Sequence, residues 1–150
     1  MDFEITKQQQ AIVDQVRDFT AKRLRPGVVE RDEASEFPLE AFKEFGKMGM
    51  FGLCYPKAFG GSDVGYLPYI LAVEEVSKVD ASFGIGFSVN TSLYGGSVMY
   101  SSATDEQKKR FLAPLHRVRL SVPLDLLKKP PALMLPASRR LPPKTVTAIS

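Results

Sequence analysis

All 15 aromatic residues and all 11 glycines of this 150-residue chain stand before residue 116. The last 35 residues, 116–150, hold six of the 11 prolines, seven basic residues and one acid, Asp125. A globular core needs large apolar side chains, and positive-φ turns need glycine, so a second packed domain of ordinary composition is excluded there. The chain therefore divides at Leu115 into a body, residues 1–115, and a basic, proline-rich tail, residues 116–150, expected to be irregular or disordered. The body is acidic by three charges and the tail basic by six, so the net +3 belongs to the tail. A nucleic-acid partner for the whole chain does not follow from it: Lys128-Lys129 and Arg139-Arg140 have no aromatics interleaved with them.

The body reads as a string of helices. Thr6-Lys7-Gln8-Gln9 is a capping-box pattern, and Ile12, Val16 and Phe19 recur behind it at helical spacing up to about Leu24, before Pro26-Gly27. A second helix is expected from Pro38, with Leu39, Phe42, Phe45 and Met48 as its apolar stripe and Gly49 as its stop. Residues 51–61 carry Pro56, Gly60 and Gly61 and read as a loop. A third helix runs from about Leu67 to Val79. The stretch from Ala81 to about Ser101 is apolar almost all round, so a buried, closely packed helix is expected. Thr104-Asp105-Glu106-Gln107 is another capping box, opening a helix expected to stop at Pro114. No alternating strand or internal repeat is evident, and the fold class is all-α.

Most chemistry-bearing patterns are weak. Glu74-Glu75 are adjacent on a helix and do not face each other as an acid/base pair would. Gly60-Gly61 lacks the further residues of a phosphate-binding loop and suits a turn needing positive φ. Cys54, the sole cysteine, excludes an intrachain disulfide and reads as a small core residue. His116, the sole histidine, lies in the tail, which leaves a histidine-based triad or zinc site without support. No run of eighteen apolar residues predicts a membrane span. The start, Met1-Asp2-Phe3-Glu4, lacks the pattern of a secretory or transit segment, and a cytoplasmic placement is expected for a bacterial protein.

Several stretches together carry a family resemblance. They are the amphipathic first helix, Phe37-Pro38, Gly49-Met50-Phe51-Gly52-Leu53, Tyr55-Pro56-Lys57-Ala58-Phe59-Gly60-Gly61, Val73-Glu74-Glu75-Val76-Ser77, and 105–115 with its Asp105-Glu106-Gln107-Lys108 start. In this order the body resembles the N-terminal helical domain of the acyl-CoA dehydrogenases. The run from Ser88 to Tyr94 is most similar to short-chain, butyryl-specific members.

The resemblance implies α,β-dehydrogenation of an acyl-CoA thioester in fatty acid metabolism. A glutamate takes the α-proton and FAD takes the β-hydride. It also implies an electron-transferring flavoprotein as acceptor, a homotetramer, and a mitochondrial matrix location for a eukaryotic member. The base and most FAD contacts of the family lie in its middle β-domain and C-terminal helical domain. No catalytic, FAD-binding or metal-binding residue is therefore assigned to this chain, which is expected to be inactive alone. What the resemblance implies for the body is one wall of the acyl pocket, with Val89 and Leu93 as substrate-binding residues. Four positions apart, they share a helix face. The plain alternative is that both are core residues.

The family continues beyond the helical domain with a phrase resembling Leu-Thr-Glu-Pro-x-Ala-Gly-Ser-Asp. Residues 116–150 do not contain it as written. Codons read one base out of phase around Leu127 to Leu135 permit Leu-Thr-Glu-Glu-Thr-Ala-Gly-Ser-Asp-Ala, so a one-nucleotide slip near Leu115 is expected. A natural basic tail on a non-enzymatic helical binding module is the other reading.

Overall fold

The computed structural model describes residues 4–116, and the readings placed on the tail lie outside the described residues. The described part is helical. In chain order it has α1 (Lys7–Phe19), α2 (Val28–Glu33), α3 (Leu39–Lys47), α4 (Tyr66–Ser77), α5 (Ala81–Ser88), α6 (Gly96–Met99) and α7 (Asp105–His116).

The first capping box forms as its sequence predicts: the Thr6 hydroxyl accepts from the Gln9 amide at 3.2 Å, and the Gln9 side chain accepts from the Thr6 amide at 3.0 Å. The helix does not remain regular to Leu24. Residues Thr20–Leu24 widen into a turn with i→i+5 bonding, in which the Arg25 amide reaches the Thr20 carbonyl at 3.0 Å. Its cause is local, because the buried Thr20 hydroxyl donates to the Val16 carbonyl at 2.7 Å and competes with the backbone ladder there. After Gly27, at φ 69°, the chain forms the short α2, which no periodicity announced.

The expected loop at 51–61 is more ordered than its composition suggests. Met50–Gly52 and Lys57–Phe59 each form a single tight turn, and Phe51, Leu53 and Tyr55 are buried. Pro114 does not stop α7, which continues to His116. A proline late in a helix loses one amide donor without ending the helical path.

The core is aromatic. Phe42, Phe45, Phe51, Phe83 and Phe87 are fully buried, with Phe19 beside them. The Phe45 ring lies 5.1 Å from Phe19, 5.3 Å from Phe83 and 5.0 Å from Phe87, the last two edge-on, the arrangement that ring quadrupoles favour. Each such ring contributes about 1.5–3 kcal/mol by leaving water. Around this centre α1 packs on α4, and α4 on α5. Arg17 clamps α1 to α4 through two bonds to Glu75, at 3.1 and 3.2 Å. The Arg23 guanidinium grips the Glu44 carboxylate of α3 in the same two-pronged way.

α4 and α5 form an antiparallel hairpin joined at 78–80. Gly84 sits so close to α4 that a Cβ there would come within 2.0 Å of the Ser77 hydroxyl. Asp80 starts α5, accepting from the Phe83 amide at 3.0 Å. Its carboxylate, 7% exposed, also lies 3.5 Å from Arg31, whose guanidinium donates to the Leu24 and Pro26 carbonyls. One ion pair thus joins the end of the first helical segment, α2 and the start of α5.

Candidate functional site

The expectation of a uniformly buried helix from Ala81 to Ser101 does not hold. Between α5 and α6 residues Val89–Gly95 form a second wide segment, and the composite helix has two unlike faces. Phe83, Gly84, Phe87, Asn90, Thr91 and Gly95 are buried, whereas Ile85 is 65% and Leu93 61% exposed, with Val89 half-buried. The mean composition of the stretch is apolar on both sides, so periodicity could not separate core from surface.

Two groups hold the inner side of the wide segment. The Tyr55 hydroxyl donates to the Thr91 carbonyl, and the Thr91 hydroxyl donates to the Phe51 carbonyl at 3.3 Å. Burial pushes the pKa of the Tyr55 phenol well above its ordinary value, so it stays protonated and remains a donor. Gly95 makes room for it, since a Cβ at that position would come within 2.7 Å of the Tyr55 hydroxyl oxygen. A carbonyl engaged from outside the helix is a recognised cause of local unwinding, and here it coincides with the wide segment. Asn90 is also buried, and its Nδ2 has no hydrogen-bond partner among the described residues.

The outer side is an apolar stripe. Ile85, Val89 and Leu93 follow one another at intervals of four. Their relation to α4 follows from Tyr69, which points across the hairpin: its hydroxyl donates to the Ser88 carbonyl at 3.4 Å, and its ring stands 5.3 Å from Phe87. Ser92 lies in line with Ser88, to whose carbonyl it donates at 2.7 Å. One position beyond Tyr69 and one beyond Ser92, Ile70 and Leu93 are each turned by about 100°. In antiparallel helices these turns bring both to the same side, away from Phe83 and Phe87. Ile70 is 55% exposed. Tyr66 extends the face, and its hydroxyl lies 2.6 Å from that of Tyr100.

Val89 and Leu93 therefore share an uncovered face, and Leu93 is not a core residue. The sequence reading missed Ile70, Ile85 and the Tyr66–Tyr100 pair. The spacing from Ile85 through Val89 to Leu93 was a usable signal, whereas pairing across the hairpin was not.

The remaining candidates resolve as structural features. Glu75 is held by Arg17 and Lys78, and Glu74 by Lys78 at 2.9 Å, so the two acids form no acid/base pair. Cys54 is buried, and its thiol is pushed up by burial, which disfavours the thiolate. Gly60, at φ 86°, ends the tight turn at Lys57–Phe59. No group of three His, Cys, Asp or Glu residues that could hold a metal occurs among the described residues, and no described helix is long and apolar enough to cross a membrane.

A cleft of about 560 Å³ between α2 and the start of α5 is lined by Val28, Val29, Phe37, Arg31, Asp32, Glu36 and Asp80, among others. Its three carboxylates face one arginine that is already ion-paired. That balance repels a pyrophosphate, so the cleft does not fit a dinucleotide such as FAD.

An antiparallel hairpin packed against α1 on one side and bearing an uncharged stripe on the other defines the molecule as a helical domain. The model of the acyl-CoA dehydrogenase N-terminal domain matches residues 6–119. The chain belongs to the acyl-CoA dehydrogenase family, whose members are flavoprotein oxidoreductases. It is 41% identical over 115 residues to the probable acyl-CoA dehydrogenase YngJ of Bacillus subtilis (strain 168), covering 77% of this chain and 30% of the relative. The short-chain specific acyl-CoA dehydrogenase of Clostridium acetobutylicum is 40% identical over 115 residues, with the same coverage. Among solved structures, butyryl-CoA dehydrogenase from Megasphaera elsdenii superposes with a TM-score of 0.73 at 38% identity, covering 78% of this chain and 31% of that one. The chain thus spans about 30% of the length of the curated relatives it matches.

Proposed function

We propose that residues 1–115 serve as the N-terminal domain of a flavin-dependent acyl-CoA dehydrogenase acting on short-chain thioesters, with Val89 and Leu93 as substrate-facing residues of the acyl pocket. The observation that carries this reading is the exposure of Leu93 beside the half-buried Val89 on the stripe, where a core role would bury both. An aliphatic wall suits an acyl chain. It binds through area rather than hydrogen bonds, and each methylene accommodated contributes about 0.8 kcal/mol. Its walls set length, because a larger side chain removes space that a longer substrate would fill.

Proton abstraction and most FAD contacts are expected from other domains of such an enzyme. The flavin there accepts the hydride, and an electron-transferring flavoprotein is the expected acceptor. A homotetramer is the expected assembly. A bacterial enzyme of this kind belongs in the cytoplasm, and a eukaryotic one in the mitochondrial matrix. Residues 116–150 are best read as coding sequence out of frame after Leu115. Resequencing codons 113–118 tests this, and a frame open only as written removes it.

A chimera tests the pocket. Residues 1–115 replace the matched segment of the Megasphaera elsdenii enzyme. The expected product is yellow, FAD-loaded and reduced by butyryl-CoA. In that chimera Leu93→Trp lowers kcat/KM for hexanoyl-CoA by about tenfold more than for butyryl-CoA, a difference near 1.4 kcal/mol. An unchanged ratio of the two substrates overturns the placement of Leu93 at the acyl chain.

A further inference from the structure

Val89 and Leu93 do not stand on an ordinary helix. They are the first and fifth residues of the wide segment Val89–Gly95, so whatever keeps that segment wide also fixes their relative direction. In a regular helix residues four apart differ by about 40° around the axis, and with more residues per turn that offset shrinks and then reverses. A helical ladder opens in this way where a group from outside engages one of its carbonyls. Here the Thr91 carbonyl accepts from the Gly96 amide, five positions on, and from the Tyr55 hydroxyl as well. Tyr55 and Thr91 are each 1% exposed, so water does not compete for the bond.

Tyr55 is itself braced. Its carbonyl accepts from the Asp63 amide at 2.9 Å, and the same loop is closed by the Ser62 amide on the Gly52 carbonyl at 2.8 Å and the Val64 amide on the Leu53 carbonyl at 2.9 Å. Gly61 packs so tightly there that a Cβ would come within 2.0 Å of the Tyr55 carbonyl oxygen. At its other end the Tyr55 ring rests on Gly95, where a Cβ would come within 2.9 Å of the ring edge. A rigid strut thus runs from a pinned loop to the middle of the segment that carries Val89 and Leu93.

We propose that Tyr55 is a positioning residue for acyl-chain selection: its hydroxyl holds the wide segment out of the regular ladder and so fixes the angle at which Leu93 stands beside Val89. Such a role rests on Val89 and Leu93 facing the acyl chain. Tyr55 works from behind that wall, on the buried side. A wall held from behind excludes extra methylenes, whereas one free to turn yields to a longer chain. Loss of the hydroxyl therefore costs selectivity rather than chemistry.

Tyr55→Phe deletes one oxygen and keeps the ring on Gly95. In the full 150-residue chain, nuclear Overhauser contacts across 89–96 are expected to change from a five-residue to a four-residue spacing in this variant. In the chimera with the Megasphaera elsdenii enzyme, the preference for butyryl-CoA over hexanoyl-CoA, as a ratio of kcat/KM, falls by about fivefold, while kcat for butyryl-CoA stays within about twofold of the parent. Gly95→Ala crowds the Tyr55 hydroxyl, which a Cβ would approach within 2.7 Å, and shifts the ratio the same way; it serves if Tyr55→Phe disturbs folding. Val16→Ala, at a fully buried residue of α1, lowers the urea midpoint and leaves the ratio unchanged. A ratio that responds to Leu93→Trp but not to Tyr55→Phe overturns the proposal and leaves the acyl pocket standing. Five-residue contacts that persist in Tyr55→Phe overturn it too, as does an equal shift of the ratio by Val16→Ala. A ratio indifferent to Leu93→Trp removes the pocket and with it the role in selection, and the contact pattern in the full chain then still reports whether Tyr55 holds the turn.

Discussion

Glu75 is 15% exposed and lies under the Arg17 guanidinium, whose hydrogen bonds hold its carboxyl below the ordinary value of 4.5, against a smaller opposing effect of burial. A carboxyl depressed in the folded state adds stability that is complete above its unfolded value and disappears as pH falls through the folded one. Glu75→Gln is therefore expected to lower the urea midpoint at pH 7. As pH falls through the lowered folded-state value the midpoints of variant and wild type converge, because the wild-type carboxyl is then protonated as well. Equal midpoints at pH 7 would show that the Arg17 clamp adds nothing to stability. The residues legible in the sequence were those whose partners are local. Thr6 and Gln9 are three positions apart and cap each other as their pattern predicts. Tyr55 and Thr91 are 36 apart, and nothing short of the fold brings them together.

At the scale of elements, the identity of the longer helices followed from apolar spacing, whereas regularity and the short α2 did not. The wide segments at Thr20–Leu24 and Val89–Gly95 each contain a hydroxyl bonded to the carbonyl four positions earlier, from Thr20 to Val16 and from Ser92 to Ser88. Ser and Thr are too common in helices for such a bond to be foreseen from residue type alone. Asp80 is a comparable case, since its capping role is local but its ion pair with Arg31 is not. Asp80→Ala removes both and is expected to cost about 2–4 kcal/mol in urea unfolding, combining a lost cap with a mostly buried arginine that keeps its carbonyl acceptors but loses its counter-charge. Asp80→Asn keeps an oxygen for the cap and is expected to cost less than half as much. Identical losses in the two variants would mean that the charge on Asp80 contributes nothing.

For the whole molecule, the all-α class was visible in the sequence, because apolar residues recur at helical spacing through the described residues. The sidedness of the α4–α5 hairpin was not visible. It depends on α1 covering one flank of α4, and that contact joins residues 58 positions apart, as Arg17 and Glu75 show. Phe45, fully buried among Phe19, Phe51, Phe83 and Phe87, is where this arrangement converges. Phe45→Ala is expected to cost about 3–5 kcal/mol, a large part of the 5–15 kcal/mol typical of a domain. The variant should show weakened near-ultraviolet ellipticity at 25 °C. A loss under 1 kcal/mol would mean that neighbouring rings collapse into the space.

The slack turn before α6 acts as a phase shifter. It gives the composite helix more residues per revolution than the usual 3.6, so every side chain after it is rotated relative to an unbroken helix. Tightening the turn between Val89 and Gly95 to the usual 3.6 residues per revolution with its residue count unchanged would swing the downstream residues by about 100°, carrying Tyr100 out of reach of Tyr66, whereas excising one residue as it tightens would roughly restore their phase. The outer face of this molecule is thus set as much by how many residues the turn contains as by which residues they are.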